Sequence, residues 1–181
     1  MATYVFDICT LGRSAFTRGG LKDFLEGTTT EKIIYDGRAD ADALYHGFGV
    51  DLSKGKYCDV QYLYCKKFNS ATDPYLKGLG KAMEKAQWLS RDERSRLNDV
   101  KSIGTRLFAP EKGGTYEVWR RRPLGPDLLA YAVADVVHLH EMAARWRPHR
   151  SDVNAVASMR MRRACAAAQA AKGKHMACKD F

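Results

Sequence analysis

An aspartate on the apolar face of a helix is the sharpest chemical signal in this chain. From Pro126 to Trp146 the spacing predicts one continuous helix, PDLLAYAVADVVHLHEMAARW, with Pro126 at its first turn. Leu128, Ala132, Asp135, Leu139, Met142 and Trp146 fall in one stripe, so a single carboxylate stands among apolar side chains. Tyr131 lies one turn before Asp135, and the phenol and carboxylate project together. A carboxylate in such surroundings is costly unless it is hydrogen-bonded, paired or bound to a metal. The structural reading is a bond to Tyr131 or to a nearby arginine. The chemical reading is a metal ligand. Asp40 poses the same choice. On a predicted helix at 39–50 it shares a face with Ala43 and Leu44, while Asp42 points elsewhere, and an aspartate in a first turn also caps well. Asp59 opens the next predicted helix, and capping is its default role. Carboxylate clusters with few other donors suit Mg²⁺ or Mn²⁺. Two such ions about 3.5–4 Å apart can activate water and stabilise the leaving oxygen of a phosphodiester. His138 and His140 flank the stripe and read as helix-edge residues, because such a site uses oxygen donors.

The elements that would position these residues are legible in outline. TYVFDI (3–8) and EKIIYDG (31–37) read as short strands, the second stopped by Gly37. GGLKDFLEG (19–27), ADADALYHGFGV (39–50) and CDVQYLYCKKF (58–68) read as helices. Asp73-Pro74 marks a loop. Helices follow around 76–88 and 90–107, the second opened by the capping box Ser90…Glu93. A polar connection, APEKGGTYEVWRRRPLG, leads to the Asp135 helix. Strands come early and helices dominate later, which predicts an α/β layered domain.

With 181 residues the chain can bury one ordinary core. No apolar run approaches the roughly 20 residues of a membrane helix, and MATYVFDICTLG has no basic leader, so the expected location is intracellular, in cytoplasm or nucleus. Five cysteines, Cys9, Cys58, Cys65, Cys165 and Cys178, contain no Cys-x-x-Cys pair and are expected to be reduced and mostly buried. The net charge of +9 is uneven. From Arg145 to Phe181 nine basic residues face only Asp152 and Asp180, whereas the remainder is nearly balanced. The expected organisation is a domain at 1–147 and a basic, Ala- and Arg-rich tail at 148–181. Such a tail suits phosphate contacts, or is simply a solvated end.

Several of these residues resemble a known pattern. YAVADVVHL (131–139) is similar to the third motif of the tyrosine subclass of DEDD 3′–5′ exonucleases, and WRRRPLGPDLL (119–129) to the Trp…Arg-Pro-Leu lead-in of ribonuclease D-like domains. IIYDGRADADALYHGFGV (33–50) resembles the second motif, with Tyr35 in the place of a family histidine and Asp40 five positions on. YCDVQ (57–61) resembles the segment that follows and places Asp59 at its aspartate. LFAPEKGGTYEVW (107–119) is similar to the branch that includes Egalitarian and its exonuclease-domain relatives. The resemblance covers about residues 3–146.

It implies a ribonuclease H-like mixed sheet flanked by helices. It also implies a two-metal Mg²⁺ or Mn²⁺ site with Asp135 and Asp40 as ligands, Tyr131 orienting the attacking water, and Asp59 as a further ligand or a structural residue. The substrate would be the 3′ end of single-stranded RNA or DNA, with Arg120, Arg121 and Arg122 either touching its backbone or lying in a solvated loop. The chain departs from the family in one large respect: no Asp-x-Glu, the family's first motif, occurs in it. TYVFDI matches the family's third strand, so the first strands are expected to be missing and its edge exposed, with poor solubility. Little hydrolysis is expected from this chain by itself. The alternative is a non-catalytic nucleic-acid-binding or adaptor module on the same fold.

Overall fold

A computed structural model describes residues 2–70, 75–147, 161–167 and 170. The loop predicted at Asp73-Pro74 and most of the basic tail lie outside the described residues. The architecture is helix-rich α/β, with one two-stranded parallel sheet among the described residues. The chain divides into two compact units. One, the sheet unit, comprises Phe6–Tyr75 and Ala143–Phe181, and the other, the helical unit, comprises Met1–Val5 and Leu76–Met142.

In the sheet unit, α1 (Ile8–Leu11) is capped by Asp7 and followed by α2 (Leu21–Glu26). Strand β1 (Lys32–Ile34) leads into α3 (Arg38–Phe48) and then into β2 (Tyr57–Asp59), which lies parallel to β1 with Ile33 opposite Cys58. The three form a βαβ crossover, the connection that parallel strands require. Helix α4 (Val60–Phe68) follows without a break. One core cluster contains Ala15, Phe16, Ala41, Val50, Leu52 and Tyr57, with Phe16 stacked on Phe48 at 4.2 Å. Met161 and Cys165, from the helical stretch 161–167, are buried in the same cluster. Trp146 is also buried and meets Tyr64 and Phe68 edge-on.

The segment 3–8 differs from its predicted state. Residues 2–7 form no strand, and Tyr4, Val5 and Phe6 are exposed. Alternating apolar residues make a strand only where a neighbour takes up the backbone N–H and C=O groups, and the described sheet contains only β1 and β2.

The helical unit contains α5 (Leu79–Glu84), α6 (Arg91–Phe108) and α7 (Pro126–Ala134). Ser90 accepts from the Glu93 N–H, and the Glu93 carboxylate accepts from the Ser90 N–H, so the predicted capping box is formed. Helix α6 packs along α7. The predicted helix 126–146 is two helices, α7 and α8 (Leu139–Trp146), separated by a turn at 135–138. There Val136 and Leu139 donate three residues back, to Val133 and Val136, and this tightening ends the α-helical ladder.

Candidate active site

Asp135 closes α7 as its C-cap residue, and its N–H reaches the Tyr131 carbonyl at 3.2 Å. The C-terminal end of a helix carries partial negative charge, so a carboxylate there is electrostatically unfavourable unless a cation approaches. Lys101, on α6, supplies it: its ammonium donates to Asp135 Oδ1. The same ammonium sits over the Tyr131 ring, 4.5 Å from its centre. Tyr131 and Asp135 are thus brought together, as their spacing predicts, but their shared partner is a lysine rather than an arginine.

Tyr131 is positioned by small and aromatic neighbours. Its ring lies against Gly104 of α6, where an added Cβ would come within 2.6 Å of it. Phe108 meets the ring edge-on at 5.2 Å and Trp119 at 6.1 Å. Trp119 ends the 3₁₀ turn Tyr116–Trp119, and the arginines follow at once. All three are exposed. Arg120 lies 3.7 Å from Glu117, and Arg122 donates to the carbonyls of Trp119 and Arg121. Arg122 is therefore engaged as a brace of its own turn.

Asp40 and Asp59 belong to the sheet unit. Asp40 is exposed in the first turn of α3, where its charge complements the helix dipole, and Gly37 is the N-cap. Asp42 points to His46 one turn on. Asp59 is buried, and one of its oxygens accepts both the Gln61 N–H that it caps at 2.9 Å and the Asp36 N–H at 3.1 Å. Asp36 has a positive φ of 55°, which aspartate tolerates better than most side chains, and its carboxylate holds Arg38 through two bonds of 2.6 and 2.8 Å. Gln61 completes the network with a 3.3 Å bond to Asp36. This cluster stands at the carboxyl ends of two parallel strands, where α/β sheets commonly place ligands. Of its members only Asp59 was singled out by sequence reasoning. The Asp36-Gly37 turn was the available signal for the rest. Tyr35, in the place of the family histidine, has its ionisation pushed well above the ordinary phenol range by burial, reinforced by Cys65 and Asp59, and so stays neutral.

As arranged, these residues do not fit a divalent metal. Asp135 already has an ammonium as counter-ion, and among the described residues no group of three or more His, Cys, Asp or Glu side chains could hold an ion. The ion pair is partly exposed and adds little to stability. Lys101→Met should lower the unfolding free energy in urea by no more than about 1 kcal/mol. A loss several times larger would show that the pair is a structural linchpin instead.

Comparison with known proteins gives a limited match. The chain is 29% identical over 141 residues to the mouse (Mus musculus) "piRNA biogenesis protein EXD1", a stretch that covers 75% of this chain and 23% of that protein. It therefore spans about a quarter of that relative's length. No family model matches, and no solved structure matches. Among the described residues no helix is long and apolar enough to cross a membrane.

Proposed function

We propose that this chain carries a 3′–5′ exonuclease-type domain of the ribonuclease D kind, on a ribonuclease H-like framework, that takes the 3′ end of single-stranded RNA or DNA. The observation that carries the reading is the Tyr131–Asp135 pair, held one turn apart at the end of α7, the helix into which the Arg-Pro-Leu segment leads. That family's pattern would make Asp135 and Asp40 ligands of Mg²⁺ or Mn²⁺ and set Tyr131 beside the attacking water, but Asp135 is held by Lys101 in this chain, and no metal-dependent step is assigned to these residues. Hydrolysis by these 181 residues is weak or nil, because the Asp-x-Glu carboxylates are not among them.

A second reading, a non-catalytic binding or adaptor module, is favoured by one specific contact. Lys101 gives Asp135 the positive charge that a metal would otherwise give.

The test is to incubate the chain with 5′-labelled single-stranded RNA and DNA in Mg²⁺ and in Mn²⁺. Salt-sensitive binding is expected, with a faint 3′-shortened ladder or none, and any ladder should vanish in Asp135→Asn. A ladder that is lost in Asp135→Asn selects the first reading, whereas binding with no ladder even after a strand bearing Asp-x-Glu is fused ahead of Met1 selects the second. A chain that binds neither nucleic acid at any salt concentration has neither function.

A further inference from the structure

We propose that the turn Tyr116–Trp119 is a base-stacking platform for single-stranded nucleic acid, with Tyr116 as the stacking ring and Arg121 as the adjoining phosphate contact. This rests on the nucleic-acid reading above, and it adds a binding site distinct from the Tyr131–Asp135 pair.

Four aromatic rings cluster in the helical unit. Phe108 is central, with Trp119 at 5.5 Å, Tyr131 at 5.2 Å and Tyr116 at 6.1 Å. Tyr116 lies tilted 32° to Phe108 and is 53% exposed, so the ring is held against the aromatic cluster while about half of it meets solvent. An exposed aromatic ring that the fold holds in place is what an unpaired base stacks on.

The turn is held firmly enough to present that ring. Gly113, at φ 83°, reverses the chain after α6, and Gly114 lies so close to the Arg106 and Leu107 backbone that a Cβ would approach within 2.6 Å. Backbone bonds from Gly114 to Ala109 and from Thr115 to Leu107 tie the turn to the helix end. The Thr115 hydroxyl accepts from the Glu117 N–H. A pre-ordered ring loses little freedom on binding.

Charge identifies the occupant. From Lys101 to Gly125, inclusive, stand six basic residues against Glu111 and Glu117. Arg121 is exposed immediately after the turn, whereas Arg120 faces Glu117 and Arg122 braces the backbone. An exposed ring followed five residues on in the chain by an exposed guanidinium, in a segment of net positive charge, matches a base and its phosphate better than an apolar peptide.

The experiment measures fluorescence anisotropy with a short labelled oligothymidylate, an oligouridylate and an abasic strand of the same length and charge. Tyr116→Ala should weaken binding of the two base-bearing strands about five- to 150-fold and leave the abasic strand unchanged. Tyr116→Phe should restore binding, since phenylalanine stacks. Arg121→Ala should weaken all three strands and reduce the magnitude of the log-log salt slope by about 0.7. If Tyr116→Ala binds the base-bearing strands as the parent does, the platform is refuted while the nucleic-acid reading stands. If the parent binds none of the three strands, both fall together.

Discussion

Replacing Asp59 with alanine is expected to destabilise the chain by roughly 2–4 kcal/mol in urea unfolding, the sum of two buried or part-buried N–H donors left without an acceptor. One carboxylate oxygen takes both bonds, from Gln61 at the start of α4 and from Asp36 beyond the end of β1. Its loss would uncap a helix and release the turn that joins a strand to the next helix. Replacement by asparagine is a sharper comparison. Asparagine keeps one carbonyl oxygen in the same place, so Asp59→Asn should stay within about 1 kcal/mol of the parent. A structural acceptor and a metal ligand are separated by this pair of variants. If the asparagine variant costs as much as the alanine variant, the negative charge itself matters and the capping account is insufficient. If Asp59→Ala costs under about 1 kcal/mol, the network is not holding the strand ends together.

Gly104→Ala should reverse the sign of its effect according to what stands at position 131. In an isolated helix the change from glycine to alanine is favourable by about 1 kcal/mol. Here the new methyl would meet the Tyr131 ring at 2.6–2.8 Å, and that ring is backed by Phe108 and Trp119. Overpacking of this kind costs roughly 1–3 kcal/mol and overrides the gain in helix propensity. In the parent chain the variant should therefore be less stable, with altered near-ultraviolet dichroism from the aromatic group. In a Tyr131→Ala background the obstacle is gone, and the same substitution should stabilise by up to about 1 kcal/mol. Equal effects in both backgrounds would mean that Gly104 and Tyr131 do not touch in solution.

These two sites show which information a sequence carries locally. Helix α6 was readable because its start is written in residues three apart, Ser90 and Glu93, whose side chains bond the backbone beside them. Asp59 as a cap was readable for the same reason. Strand β2 was not, because Tyr57, Cys58 and Asp59 run straight into α4 and the apolar pattern does not change at the junction. The turn at 135–138 was equally hidden. Asp135, Leu139 and Met142 keep helical spacing through it, and neither glycine nor proline marks the place where bonds shorten from four residues back to three. Lys101 was missed because the contact spans 34 positions of sequence, and nothing in a lone lysine on a charged helix points to a particular carboxylate. Of the candidate site, the Tyr131–Asp135 pair was legible from spacing alone, while its electrostatic partner required the packing of α6 on α7.

The buried pair Met161 and Cys165 alters what a deletion experiment on the basic segment would measure. Between them Arg162 and Arg163 are exposed, so one helical turn faces both ways, with sulfur-bearing side chains in the core and guanidinium groups in solvent. Burial raises the Cys165 thiol above its ordinary range, and Asp51 beside it acts in the same direction. Excising the segment to remove its charge would also take the Cys165 side chain away from Tyr57 and Leu52 and leave an apolar void in the sheet unit. Charge reversal at Arg162 and Arg163 separates the two effects, because it alters the electrostatic field while the interior stays filled.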